Sequence, residues 1–479
     1  MAAPTRRWPL YLGVLASVLA AACGPSAQTR IAQRILERYR AASGAKPLAA
    51  AGQIRLRLGG PGGARGSIEI SWQGSDYRER RESAGLVTVR GLQGGKAFYT
   101  DEDGVTRVAS EPVVRELVTR FYFWRRAFLF ADHEKETMGL GPADETVASV
   151  RFGLHWGNTL DLAFSRKDGS LAGVRSPRFR LESTGPTRFT DLSDPTAPVD
   201  TEIVWVGLPT GPLAGVSAGG GRARFRGPFA DVPIEIDGTS PIVRAMIAGA
   251  SARVRLDAAV SGPVRVSAEL ARKTGLSFER DVFGRFVGGP VELSFDSLVF
   301  PSVHLEKAQV ISGADAAIGG TLFREAVVEV DPAGGRLRLY DPAAWAPPEG
   351  LHRFIIDDDG NLPVAPLRRG AREFRVVLGT ADPGGGIVLA PEAALRLGIT
   401  RDEPAASDLG WANQTLPAMP VRIGAAPRAP DWGDDGTLAW QPLLGYRSFI
   451  DMPRRWIYLA PAGAAPAAPT SSPPPTPGR

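Results

Sequence analysis

The chain has 479 residues, of which 43% are hydrophobic and 22% charged; that is enough for two or three domains with packed cores and excludes both global disorder and a polytopic membrane protein. Its 56 glycines and 41 prolines, many in pairs such as Gly59-Gly60, Gly94-Gly95, Gly334-Gly335 and Pro347-Pro348, are the punctuation of short strands, so the chain reads as mainly β. Lys and Arg outnumber Asp and Glu by 56 to 51, and by 54 to 51 once Arg6 and Arg7 leave with the leader described next; so even a balance, with no basic tract, points away from nucleic acid.

Arg6-Arg7 form a positive start, residues 8–19 an apolar stretch short for a bilayer span, and Ala20-Ala21-Ala22-Cys23 a small-residue cleavage site. This resembles a bacterial lipoprotein signal, although Ala20 stands where that family prefers a large aliphatic residue and Leu19 lies one place further back. The resemblance implies a signal peptide over 1–22, lipid on Cys23 and a tether over 23–30. Gly24 follows the cysteine where members kept in the inner membrane usually have Asp, which implies a periplasmic protein anchored at the outer membrane. Cys23 is the only cysteine, so neither a disulfide framework nor a cysteine-ligated metal is available.

Residues 31–210 read as one α+β domain. Ile31, Ile35, Leu36 and Tyr39 recur at helical spacing, then Ile54-Leu56-Leu58 and Ile68-Ile70-Trp72 alternate as half-buried strands do, and Val87-Val89 and Phe98 continue the meander. Glu111-Pro112 opens a second helix whose apolar face carries Val114, Leu117, Phe121, Trp124 and Phe128. Strands resume at Val150-Phe152-Leu154 and Leu160-Leu162-Phe164, with a hairpin turn at Lys167-Asp168-Gly169. This layout, with the phrase Tyr99-Thr100-Asp101-Glu102-Asp103-Gly104, resembles the lipoprotein-sorting carriers of the periplasm, which implies a curved, half-open sheet that holds acyl chains. The aromatic run over 121–130 either lines such a groove or packs a helix on its sheet.

Residues 211–230 are glycine-rich and read as a linker. Gly215-Val216-Ser217-Ala218-Gly219 matches the nucleophile elbow G-x-S-x-G but lacks the strand before and the helix after that hold the serine at a strained turn. His133, His155, His304 and His352 are scattered without a partner pattern, which removes serine hydrolases and H-E-x-x-H zinc enzymes. Asp357-Asp358-Asp359-Gly360-Asn361 lacks the sixth-position glycine and distal Glu of a calcium loop and reads as a turn. No metal or cofactor is implied. Residues 462–479, with Pro473-Pro474-Pro475, read as a disordered tail.

The region 231–461 contains two copies of one pattern, expected as lobes over 231–345 and 346–461. Arg253-Val254-Arg255-Leu256-Asp257-Ala258-Ala259 answers Arg375-Val376-Val377-Leu378-Gly379-Thr380-Ala381, which puts Asp257 opposite Gly379. A strand and short helix follow in each copy, closed by Gly275 and Gly398 at the same offset. Ala317-Ile318-Gly319, Phe323 and Val330-Asp331 are matched to Leu443-Leu444-Gly445, Phe449 and Ile450-Asp451. The pattern resembles the pepsin/retropepsin fold of aspartic peptidases, where each lobe carries Asp-Thr-Gly and, later, two large aliphatics and a glycine.

The resemblance implies a cleft in which two aspartates about 3 Å apart share a proton and activate water. This chain departs from it there: Ala258-Ala259 replace Thr-Gly in lobe one, and Gly379 and Ala381 flank a retained Thr380 in lobe two. The expected reading is a pseudoenzyme, mainly β, that binds an extended peptide or unfolded protein segment between its lobes. Two alternatives stand beside it: an active endopeptidase pairing Asp257 with a displaced Asp382, and acyl-chain or lipoprotein binding by the N-terminal domain.

Overall fold

The computed structural model describes residues 26–46, 48, 50–109, 111–130, 136–193, 197–208, 223–238, 240–358, 362–382, 384–412, 414–424 and 435–461. Cys23 and its leader, His133, the 215–219 stretch, Asp359 to Asn361 and the Pro-rich tail lie outside them.

Helix α1 (Ala27–Ser43) starts inside the stretch expected as tether, because Ser26 accepts the Thr29 amide at 3.1 Å as an N-cap; Gly44 at φ +62 ends it. It buries Ala32, Leu36 and Tyr39. Among the described residues of this half a 13-stranded sheet runs from Thr106–Val108 at one edge to Glu136–Leu140 at the other, every pairing antiparallel. The first and last strands of the half, Ala51–Gly59 and Val199–Gly207, pair in its middle. The alternation of Ile54, Leu56 and Leu58 with exposed Arg55 and Arg57 turns the apolar face of this sheet onto both helices.

Helix α2 (Glu111–Trp124) stops short of Phe128, where the apolar spacing had carried it. Arg126 takes a left-handed backbone at φ +55 and Ala127–Leu129 forms a 3-10 turn, which swings Phe128 and Leu129 into the core. Beneath α2 lies a buried ion network: Glu79 accepts from Arg120 at 2.8 Å, Arg90 at 2.9 Å and the Tyr77 hydroxyl, and Arg90 also reaches Glu116 at 3.1 Å. Burial works against the Glu79 carboxylate, but Arg120 and Arg90 outweigh it and hold the group well below the usual carboxylate range.

The second half folds as two lobes of one topology. In lobe one, Ala250–Leu256 pairs in parallel with Ala316–Ile318, which pairs antiparallel with Val264–Val266, itself parallel to Leu298–Lys307. In lobe two, Arg372–Thr380 pairs in parallel with Gly436–Ala439, antiparallel in turn to Ile387–Leu389, which is parallel to Met419–Ile423. Short helices follow the third strand of each set, α3 (Ala268–Lys273) and, after α4 (Gly320–Glu325), α5 (Pro391–Leu397). The lobes join where Val327–Asp331 pairs with Tyr446–Asp451, with Glu329 opposite Phe449. Asp331 and Asp451 each cap the turn three residues on, at Gly334 and Arg454, so that part of the repeat holds in detail. The stretch expected as linker already contributes Arg224–Phe225 and the start of Phe229–Asp237 to these sheets.

Lobe one is fastened to the N-terminal sheet. Val282, on the turn between Glu279–Arg280 and Phe286–Phe295, is fully buried in the N-terminal core and donates its amide to Ser83 Oγ at 2.9 Å. Glycine at 60 is required there, since a Cβ would stand 2.3 Å from the Val282 carbonyl oxygen. In return the loop after Tyr99 enters lobe one: Asp101 faces Arg324 of α4 at 3.2 Å, and Asp103 accepts from the His304 amide and ring Nδ1 at 3.0 and 3.1 Å.

Candidate functional site

The strand Ala250–Leu256 delivers Asp257 to the seam between the lobes. Its amide donates to the Ile318 carbonyl at 2.9 Å, which fixes the loop on the parallel neighbour strand. The carboxylate is half-buried, and Oδ1 accepts the Ala259 amide at 3.0 Å and, from the other lobe, the Ala381 amide at 3.2 Å. The Ala258 amide donates to the Gly379 carbonyl at 3.0 Å. The two loops that resemble Asp-Thr-Gly therefore do meet, laced by backbone bonds and by one carboxylate.

At Gly379, the residue matched to Asp257, a side chain has no free space. Gly379 has φ +71, a region that disfavours side chains, and a Cβ there would lie 2.9 Å from the indole of Trp440. Trp440 is fully buried; its ring Nε1 donates to the Leu256 carbonyl across the seam at 2.9 Å, and its ring lies 6.2 Å from that of Phe323 in lobe one. The indole therefore fills the space into which a side chain at position 379 would extend.

The strand pairing corrects the match proposed for the end of the repeat. The counterpart of Ala316–Ile318 and Gly319 is the stretch 436–438 and Ala439, because these are the residues in parallel register with the Asp257-type strands. Leu443-Leu444-Gly445 instead forms a 3-10 turn in the place of α4, and Phe449, expected opposite Phe323, lies opposite Glu329. The sequence does carry a signal for the right register: Asp315 and Asp435 each accept the amide of the matching arginine, Arg253 and Arg375, at 2.8 Å, one residue before those strands begin.

Asp382 faces its own lobe. Its Oδ1 pairs with Arg422 at 2.7 Å and accepts the Gly384 amide at 2.9 Å, while its carbonyl accepts the Gly385 amide at 3.1 Å. These bonds close the glycine turn after Thr380. The Thr380 hydroxyl is buried and finds no hydrogen-bond partner among the described residues, its lobe-one counterpart being Ala258. Thr380→Val is therefore expected to be neutral or to stabilise by up to about 1 kcal/mol in urea unfolding; a loss larger than that would reveal a partner for the hydroxyl.

The N-terminal half contains a cavity of about 770 Å³ on the side of the sheet that carries the helices, lined by Tyr39, Ile54, Trp124, Phe128, Leu171 and Phe189 among others, with Arg126 beside them. The aromatic run of α2 thus contributes both to packing and to a cavity wall. Among the described residues no helix is long and apolar enough to cross a membrane.

The order of strands and the meeting of the two loops define the class of fold: mainly β, a curved-sheet α+β domain followed by a two-lobed, aspartic-peptidase-like β domain. No protein-family model matches the chain, and no curated protein matches it. Among solved structures it is similar to an aspartic proteinase from Irpex lacteus at 12% identity and a TM-score of 0.33, over 50% of this chain and 99% of that one. It is similar also to a DUF1329 family protein from Desulfovibrio piger ATCC 29098 (7% identity, TM-score 0.26, 40% of this chain and 96% of that one). A third is a LolA superfamily protein from Nitrosomonas europaea (11% identity, TM-score 0.24, 38% and 94%). The two-lobed architecture stands on the strand pairings above, not on these scores.

Proposed function

We propose that the chain is a membrane-anchored periplasmic lipoprotein, held through lipid on Cys23 at the outer membrane, whose two-lobed domain binds an extended peptide or unfolded protein segment without cleaving it. The observation that carries this is the Trp440 indole over Gly379, which leaves Asp257 without a partner acid in the place where the fold would present one. Loss of one acid/base participant typically costs about 10² to 10⁴ in rate. Asp257, with Oδ1 already accepting two amides, ties the two loops together. Backbone groups at strand edges still bind an extended chain when the catalytic pair is gone. Incubated with a diverse peptide library from about pH 3 to 7, where carboxylates change charge, the protein and its Asp257→Asn variant are both expected to retain peptides and to cleave none. Cleavage by the parent that disappears in Asp257→Asn would restore the peptidase reading, with Asp382→Asn as the next variant to try.

A second reading is favoured by the 770 Å³ cavity: the N-terminal domain holds an acyl chain. Its volume lies within the range of about 300 to 1,000 Å³ usual for small-ligand sites, and its walls are largely aliphatic and aromatic. Native mass spectrometry of the gently purified protein is expected to show co-purifying acyl species; a preparation free of lipid that also fails to bind added fatty acid would remove this reading.

A further inference from the structure

A second cavity, of about 490 Å³, lies beside the first. Its apolar lining comes from Ile31 and Ile35 on α1, from Leu140 and Ala148, and from Phe164, and it too falls in the size range of a small-ligand site. The C-terminal turn of the same helix, with Tyr39, Ala42 and Ser43, lines the larger cavity. Between the two stands one aromatic contact, Tyr39 against Phe164 with ring centroids 5.1 Å apart.

The two cavities share one hairpin tip in their linings. Ser165, Arg166 and Gly169 border the smaller cavity, while Asp168, Ser170 and Leu171 border the larger. The hydrogen bonds of the cations at this meeting point go to backbone carbonyls: Arg38 donates to the Arg166 and Lys167 carbonyls at 2.7 and 3.1 Å, and Arg166 donates to the Asp144 and Val147 carbonyls at 2.9 and 3.1 Å, with the Asp144 carboxylate near enough to feel its charge. Arg38 is in no ion pair among the described residues, and the Asp168 carboxylate is engaged by the Ser170 amide and hydroxyl at 3.0 and 2.7 Å.

We infer that the N-terminal domain takes an anionic amphiphile with two acyl chains, one chain in each cavity, straddling the Tyr39–Phe164 pair with its charged head over Arg38 and Arg166. The inference rests on the acyl-binding reading and adds to it the number of chains, the sign of the head group and the residues that divide them. A single-chain ligand leaves the smaller cavity to water; a two-chain ligand buries both sets of apolar walls.

The test uses the full chain and three probes: phosphatidylglycerol, its single-chain lyso form, and phosphatidylcholine. The two-chain anionic lipid is expected to bind at least tenfold more tightly than either of the others. Ala148→Trp, which fills the smaller cavity opposite Phe164, is expected to abolish the two-chain advantage while leaving lyso-lipid affinity unchanged. Arg38→Gln is expected to abolish the preference for the anionic head. Equal affinity for one and two chains, or an Ala148→Trp variant that keeps the advantage, overturns the inference and leaves the acyl-binding reading intact. Failure to bind any of the three probes overturns both.

Discussion

Glu79→Gln is expected to lower the unfolding free energy by about 3 to 5 kcal/mol, because it removes the carboxylate that both the buried Arg120 and the half-buried Arg90 bond and leaves Glu116 alone to balance the two cations. Glu79 and Arg120 are each 3% exposed at the side chain, and Arg120 also lies 4.5 Å over the Phe179 ring, so neither can relax toward water without opening the sheet. The pH dependence has a definite sign. The folded-state pKa of Glu79 is depressed, so its contribution is complete above the ordinary carboxylate range and is lost as pH falls through that range toward the folded value. The gap between parent and variant therefore holds from about pH 5 upward and narrows in acid. Urea titrations at several pH values measure it directly. Replacing the pair together, as Glu79→Leu with Arg120→Met, is expected to recover much of the loss, since a buried pair and apolar side chains of similar volume are close in stability. A Glu79→Gln protein that unfolds at the parent midpoint would mean that the network contributes nothing.

This network shows what the sequence does and does not display. Glu79, Arg90 and Arg120 lie on two strands and a helix, at spacings that carry no periodic signal, and nothing marks them off from the exposed charges beside them. The strands themselves were legible because apolar residues alternate: Ile54-Leu56-Leu58 and Val150-Phe152-Leu154 lie where the pattern put them. The end of α2 was not, because Arg126 adopts φ +55 without the glycine that usually announces such a turn. The repeat was legible through Arg253 and Arg375, whose strands share one topology, while its last match is obscured because Leu-Leu-Gly is a common phrase and the marks of the true register are two single aspartates, Asp315 and Asp435. His304 looked solitary in sequence, since its partner Asp103 is 201 residues away. The junction that pair helps to form, with Val282 buried in the other domain, is a tertiary fact that local patterns do not encode.

The packing at the seam was half visible in the same way. The repeat puts Gly379 opposite Asp257, while the fold sets the Trp440 indole against that glycine, and this makes a second prediction with a large effect. Gly379→Asp is expected to destabilise the protein strongly: a side chain at φ +71 is strained by about 1 to 3 kcal/mol, and its Cβ meets the indole at 2.9 Å. Trp440→Ala is expected to cost about 3 to 5 kcal/mol, through the cavity left by a fully buried ring and the loss of its bond to the Leu256 carbonyl. Because the two residues contend for one space, the double variant Gly379→Asp/Trp440→Ala is expected to lose less than the sum of the singles, a coupling that a double-mutant cycle reads directly. Neither single variant is expected to cleave peptides; only the double one places a carboxylate where it can approach Asp257, and it is there that slow hydrolysis is to be sought. Cleavage by Gly379→Asp alone would mean that the indole yields its place readily, and the proposed binding without cutting would fall with it.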